Sequence, residues 1–112
     1  MKLYKGVIAL AIVATVGFSL LPAEEVTGKD IFLNNKCNTC HSIKSQGIES
    51  KVGGDKYPDL SNVASNKFEN DFIKKFLMKE ETLDGKKHAI KFKGDDAELS
   101  KLVDWLQTLK QD

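Results

Sequence analysis

Two cysteines and a histidine within five residues, Cys37-Asn38-Thr39-Cys40-His41, constrain this chain more than any other feature of it. Two thiols three positions apart, followed at once by an imidazole, form the arrangement that attaches haem covalently. The spacing lets both sulfurs reach the vinyl groups of one porphyrin, and His41 then falls under the iron as its proximal ligand. The sequence has no other cysteine, and its only other histidine is His88. Three further readings compete. A thioredoxin-like redox pair belongs beside a strand in a βαβ unit, and no such pattern surrounds the motif. A zinc site needs four ligands; His41 and His88 would complete one on paper, with adjacent Cys40 and His41 as an awkward chelate. A short structural disulfide leaves His41 unexplained. In an exported chain the motif favours one covalent haem c, bound through Cys37 and Cys40.

Export is the expectation from the N-terminus. Lys2 and Lys5 give a positive start, Gly6 to Leu21 is apolar and uncharged, and Pro22-Ala23 precedes the acidic pair Glu24-Glu25. Residues 1–23 therefore read as a signal peptide and 24–112 as the folded domain. The apolar run is short for a membrane span, which needs about 20 residues. Leu21 is a mediocre residue at minus three from the cut, so an uncleaved N-terminal anchor is the alternative, and the only route to membrane association. No cysteine follows the run, which excludes lipoprotein attachment. The expected location is periplasmic or otherwise exported.

Taking 23 residues from 112 leaves 89, enough for one small domain. So small a domain buries a limited core and often needs a staple, which a covalent haem would provide. Arginine is absent; removing Lys2 and Lys5 from the 17 basic residues leaves 15 lysines against 16 acids. That balance argues against nucleic-acid binding.

The elements are expected to be all-α. Thr27-x-x-Asp30 resembles a capping box and starts a first helix, with Gly28 and Phe32 on one face, ending at about Asn34-Asn35. From Ile43 to Lys67 periodicity disappears, and a long loop with at most a short helical turn is expected. Tyr57-Pro58-Asp59-Leu60 is the stiff segment within it. Phe68 to Glu81 reads as a helix with Phe72, Ile73, Phe76 and Leu77 as its stripe, leaving Met78 off that stripe. A second loop spans Thr82 to Gly94, with Gly85 breaking the helix. A last helix from about Asp96 to Lys110 carries Leu99, Leu102, Val103, Leu106 and Leu109 on a narrow face behind Asp95-x-x-Glu98, a second near capping box.

From Gly28 to Leu109 these residues, in this order, resemble class I cytochromes c, the small bacterial monohaem electron carriers. The resemblance rests on Gly28 and Phe32, the Cys37/Cys40/His41 motif, Pro58-x-Leu60 and an aliphatic final helix containing Trp105. It implies short helices and long loops wrapped around one haem, with Gly28 and Phe32 crossing the Leu102/Trp105/Leu106 region. It also implies that the Pro58 carbonyl accepts a hydrogen bond from the His41 ring and that Leu60 packs on the haem.

The chain departs from the family on the distal side. Such cytochromes usually supply a methionine from the loop before the last helix; here that loop has none and contains His88 instead. Bis-histidine ligation by His41 and His88 is the expectation, with Met78, upstream in the third helical stretch, as the less favoured distal ligand. Imidazole in place of thioether should lower the reduction potential. The expected function is one-electron transfer, not enzyme catalysis, since no spare acid–base histidine is present. The alternative is a haem-based sensor or small-ligand-binding protein with a weak or open distal site. Lys86, Lys87, Lys91 and Lys93 around His88 would suit a redox partner with an acidic docking face.

Overall fold

Helix α1 (Gly28–Asn34) starts where its capping chemistry allows. Thr27 Oγ1 accepts from the Asp30 N–H at 3.1 Å, and the Asp30 carboxylate accepts from the Thr27 N–H at 3.0 Å. Two of the four donors that a helix start leaves unpaired are thereby satisfied. The computed structural model describes residues 25–52 and 56–111; the expected signal segment 1–23 and the Gly53-Gly54 pair lie outside them. Helix α1 ends at Asn35, whose side chain caps the Ile31 carbonyl at 2.9 Å.

Helix α2 (Asn70–Leu77) is shorter than the stretch 68–81 expected from periodicity. Met78 is its C-cap, and Lys79 takes a left-handed φ of 62°, which ends the helix before the polar run Lys79-Glu80-Glu81. Helix α3 (Asp96–Leu106) has the second capping box, Asp95 with Glu98, with bonds of 2.8 and 3.0 Å. It stops four residues before the expected Lys110, although Leu109 is still buried.

Between these helices the chain is not free of strand. Thr82–Leu83 (β1) and Lys86–Lys87 (β2) pair antiparallel around Asp84 and Gly85, whose φ values are 52° and 78°. Two successive positive φ values make the tight turn that matches strand twist, and Asp-Gly is a preferred pair for it. Gly85 therefore closes a hairpin; the helix has already ended at Leu77.

The core centres on the crossing of α1 and α3. Ile31 and Phe32 meet Leu99, Leu102, Val103 and Leu106, with Ile73 of α2, Phe92 and Leu109 beside them. Phe32 and Trp105 lie 5.8 Å apart between ring centroids. At Gly28 there is no room for a side chain: a Cβ would overlap Trp105 Cβ and lie 2.8 Å from the Lys101 carbonyl oxygen. The helix crossing implied by the family resemblance is thus present.

The segment after the cysteine motif has no regular periodicity, as expected, but it is tightly built. It contains single helical turns at Lys44–Gln46 and Val63–Asn66, and a bridge between Ile43 and Ile48. Both isoleucines are buried core residues that periodicity does not reveal.

Candidate functional site

The cysteine motif is a single tight turn. Backbone N–H groups of Cys40 and His41 both donate to the Cys37 carbonyl, at 3.3 and 3.0 Å. Lys36, at φ 59°, turns the chain out of α1 into it. Lys51 and Val52 then run alongside, donating to the carbonyls of Asn38 at 3.0 Å and Thr39 at 2.9 Å. Cys37 and Cys40 are half-buried and not bonded to each other, so the disulfide reading fails. Among the described residues no group of three or more His, Cys, Asp or Glu side chains could hold a metal, which leaves the zinc reading without its ligands. Burial pushes the Cys37 thiol up to about 11.

His41 donates from Nδ1 to the Pro58 carbonyl oxygen at 2.8 Å. A carbonyl can only accept, so the bond fixes the tautomer and leaves Nε2 unprotonated in the neutral ring. Burial holds the His41 pKa below its ordinary value, against the upward influence of that carbonyl, and the nearby His88 adds to the lowering. The neutral imidazole is the form that binds a metal.

His88 leaves the hairpin directly after β2 and is locked in the same way. Its Nδ1 donates to the Ile90 carbonyl at 2.6 Å. The loop around it is pinned to α2, with the Phe92 N–H on the Leu77 carbonyl at 2.9 Å and Lys79 Nζ on the Ala89 carbonyl at 3.3 Å. Phe76 of α2 meets the His88 ring edge-on, at 5.3 Å between centroids and 69° between planes.

The two histidines, 47 positions apart in the chain, come together. Their ring centroids are 6.1 Å apart and their planes differ by 11°. A metal–imidazole bond of about 2 Å, plus about 1 Å from nitrogen to ring centre, puts two imidazoles on opposite sides of one ion about 6 Å apart. The separation of the two rings matches that spacing, and each ring has its Nδ1 on a backbone carbonyl, the orienting contact that metal-bound histidines make.

Met78 occupies a different place. It follows Phe76 by two residues, roughly 200° around a helix. It lines a surface groove with Lys74, Lys75, Gly94 and Leu99. Leu60 is half-buried against the core, its N–H on the Ser42 carbonyl at 2.9 Å.

Sequence reasoning passed over Asp59. Its carboxylate accepts from Ser42 Oγ at 2.7 Å, the Lys44 N–H at 3.1 Å and the Ser61 N–H at 2.8 Å. Burial raises its pKa, and the hydrogen bonds from Ser61, Ser42 and Lys44 outweigh that and hold it below the usual carboxylate range. The local signal was Pro-Asp-x-Ser, an Asx-turn sequence; its partners 15 and 17 residues away carry no signal at all. Tyr57 is a second such residue, its ring edge 6.0 Å from His41 between centroids.

Comparisons with curated proteins and with solved structures find no match. A family model, Cytochrome c, matches residues 25–110, which takes in both helix caps, the cysteine motif, Pro58 and the His88 loop. On that match, and on the fold that places these residues, the chain belongs to the cytochrome c family.

Proposed function

We propose that this cytochrome c is a one-electron carrier whose haem iron is ligated by His41 and His88, at a potential lower than a methionine ligand would give. The family binds haem c covalently through paired cysteines, here Cys37 and Cys40, and serves haem-based electron transfer. When bound, the haem supplies the ferric/ferrous couple; the chain's own residues set its ligands, its access to water and its docking.

The observation that carries the proposal is the His41–His88 pair: 6.1 Å between ring centres, near-parallel planes, and both Nδ1 atoms engaged by carbonyls. In the neutral rings both Nδ1 atoms carry the proton, which leaves both Nε2 atoms unprotonated and able to bind. Phe72 and Phe76, half-buried on α2, stack at 6.1 Å, and Phe76 gives the His88 ring an apolar neighbour at 5.3 Å. Imidazole is a stronger donor than thioether sulfur and favours ferric iron, which lowers the potential.

Lys86, Lys87, Lys91 and Lys93 are all exposed around His88. They supply a positive rim for an acidic redox partner on a chain whose overall net charge is only +1. Export is inferred from the N-terminal sequence, with residues 1–23 as a cleaved signal or retained anchor. Among the described residues, no helix is long and apolar enough to cross a membrane.

The test is spectroscopic. The wild-type protein should be low-spin in both redox states and should not bind carbon monoxide. His88→Ala should give a high-spin ferric spectrum and open the iron to carbon monoxide, while Met78→Ala should leave the spectrum as it was. A far-red sulfur-to-iron charge-transfer band lost in Met78→Ala would refute the ligation. Carbon monoxide binding by the wild type would favour the sensor alternative.

A further inference from the structure

We propose that Asp59 is a positioning residue for the proximal ligand, fixing the Pro58 carbonyl against His41 and thereby setting how strongly that imidazole donates to iron. The inference rests on the reading of His41 as an iron ligand and extends it to a residue whose hydrogen bonds run to Ser42, Lys44 and Ser61 rather than to the ring.

The geometry is a closed ring of bonds. His41 and Ser42 are consecutive, as are Pro58 and Asp59. His41 Nδ1–H reaches the Pro58 carbonyl at 2.8 Å, and Ser42 Oγ–H reaches Asp59 Oδ2 at 2.7 Å, so two adjacent residues on each segment face each other in register. The same Oδ2 takes the Lys44 N–H at 3.1 Å, while Oδ1 takes the Ser61 N–H at 2.8 Å. Ser61, 5% exposed, continues the clamp by accepting from the Ser45 N–H at 2.9 Å. Proline has no N–H, so Pro58 cannot be tethered through its own amide. Its carbonyl is held in place by the next residue in the chain, Asp59.

Two consequences share one direction. A carbonyl held at 2.8 Å draws on the His41 N–H and makes the ring a stronger donor, which favours ferric iron. A carboxylate kept ionised one residue from that carbonyl adds negative charge, which also favours ferric iron. Hydrogen bonds to an ionised acceptor are about twice as strong as neutral ones, so the clamp depends on the charge as well as the shape.

The experiment measures midpoint potential and the solvent exchange of the His41 ring N–H by NMR in the haem-loaded protein. It compares wild type with Asp59→Asn, Asp59→Ala and Asp71→Asn. Asp71 is a control charge, its side chain 77% exposed and paired with Lys75 at 3.2 Å on α2. Asp59→Asn removes the charge but keeps the bulk and one acceptor, so it should fold if Asp59→Ala does not. Both Asp59 variants should shift the ferric/ferrous equilibrium severalfold toward ferrous, read at about 59 mV per tenfold change for one electron. Asp59→Ala should shift it further, and ring N–H exchange should quicken in the same order. Asp59 variants that melt earlier but match Asp71→Asn in potential and wild type in exchange would reduce Asp59 to a loop fastener and overturn the proposal. A wild-type spectrum without bis-imidazole character is a separate outcome: it would refute His88 as the distal ligand, while the Asp59 comparison, which needs only His41 on the iron, would be read in the same way.

Discussion

Gly28→Ala tests the helix crossing at its tightest point. The added methyl would overlap Trp105 Cβ and lie 2.8 Å from the Lys101 carbonyl, and neither atom can swing aside because both are fixed to the α3 backbone. Relief must come from moving α1 off α3. Overpacking of this kind costs about 1–3 kcal/mol. Alanine returns up to about 1 kcal/mol of helix propensity, less at a first helical residue such as this. The net loss is about 1–2 kcal/mol, which in a domain of this size lowers the melting temperature by about 4–16 °C. Thermal melting of the haem-loaded protein by far-ultraviolet circular dichroism measures it. Gly47 separates the mechanism: nothing lies within 4 Å of its missing Cβ, but its φ is +71°. There the cost is backbone strain, and Asn, which tolerates that region, should recover most of what Ala loses. At Gly28 Asn should be no better than Ala. A Gly28→Ala protein that melts at or above wild type would refute the close-packed crossing.

Covalent attachment predicts that the haem survives denaturation and acid–acetone extraction. Replacing Cys37 or Cys40 should weaken retention on a haem-stained denaturing gel, and replacing both should leave little folded protein. Asp59 predicts an acid limb. Its carboxyl is held below its unfolded value of about 3.9, so the stability it adds is complete above that pH and is lost as pH falls toward the folded value. The melting-temperature gap between wild type and Asp59→Asn should therefore close at low pH; a gap constant down to acid would refute the charged clamp. The lysine rim predicts that electron-transfer rates with an acidic partner fall as salt rises, since exposed charges are screened over about 8–10 Å. Rates indifferent to ionic strength would remove it.

What could be read from sequence was local. The two capping boxes each span four residues, and both helices start where those signals put them. The cysteine motif and His88 stood out because cysteine and histidine are so scarce here. The end of α2 was misread because Met78 and the residues after it suit a helix well enough, and only the left-handed Lys79 stops it. The hairpin was missed although Asp84-Gly85 announces it, because strands of two residues show no alternation. Ile43 and Ile48 bury themselves through a turn with no helical or strand period. Asp59 escaped for a different reason. Its role exists only when two loops 15 to 17 residues apart are laid side by side.

Both histidine rings lean on backbone carbonyls, Pro58 for His41 and Ile90 for His88, rather than on a carboxylate or another side chain. A peptide oxygen has no proton to gain or lose between acid and alkaline conditions. As iron ligands, the two imidazoles would therefore hold one donor strength wherever Asp59 stays ionised, like a reference electrode whose filling solution does not change. Above the acid range in which Asp59 is protonated, ligands braced on peptide oxygens would leave the level of the electron indifferent to the acidity outside.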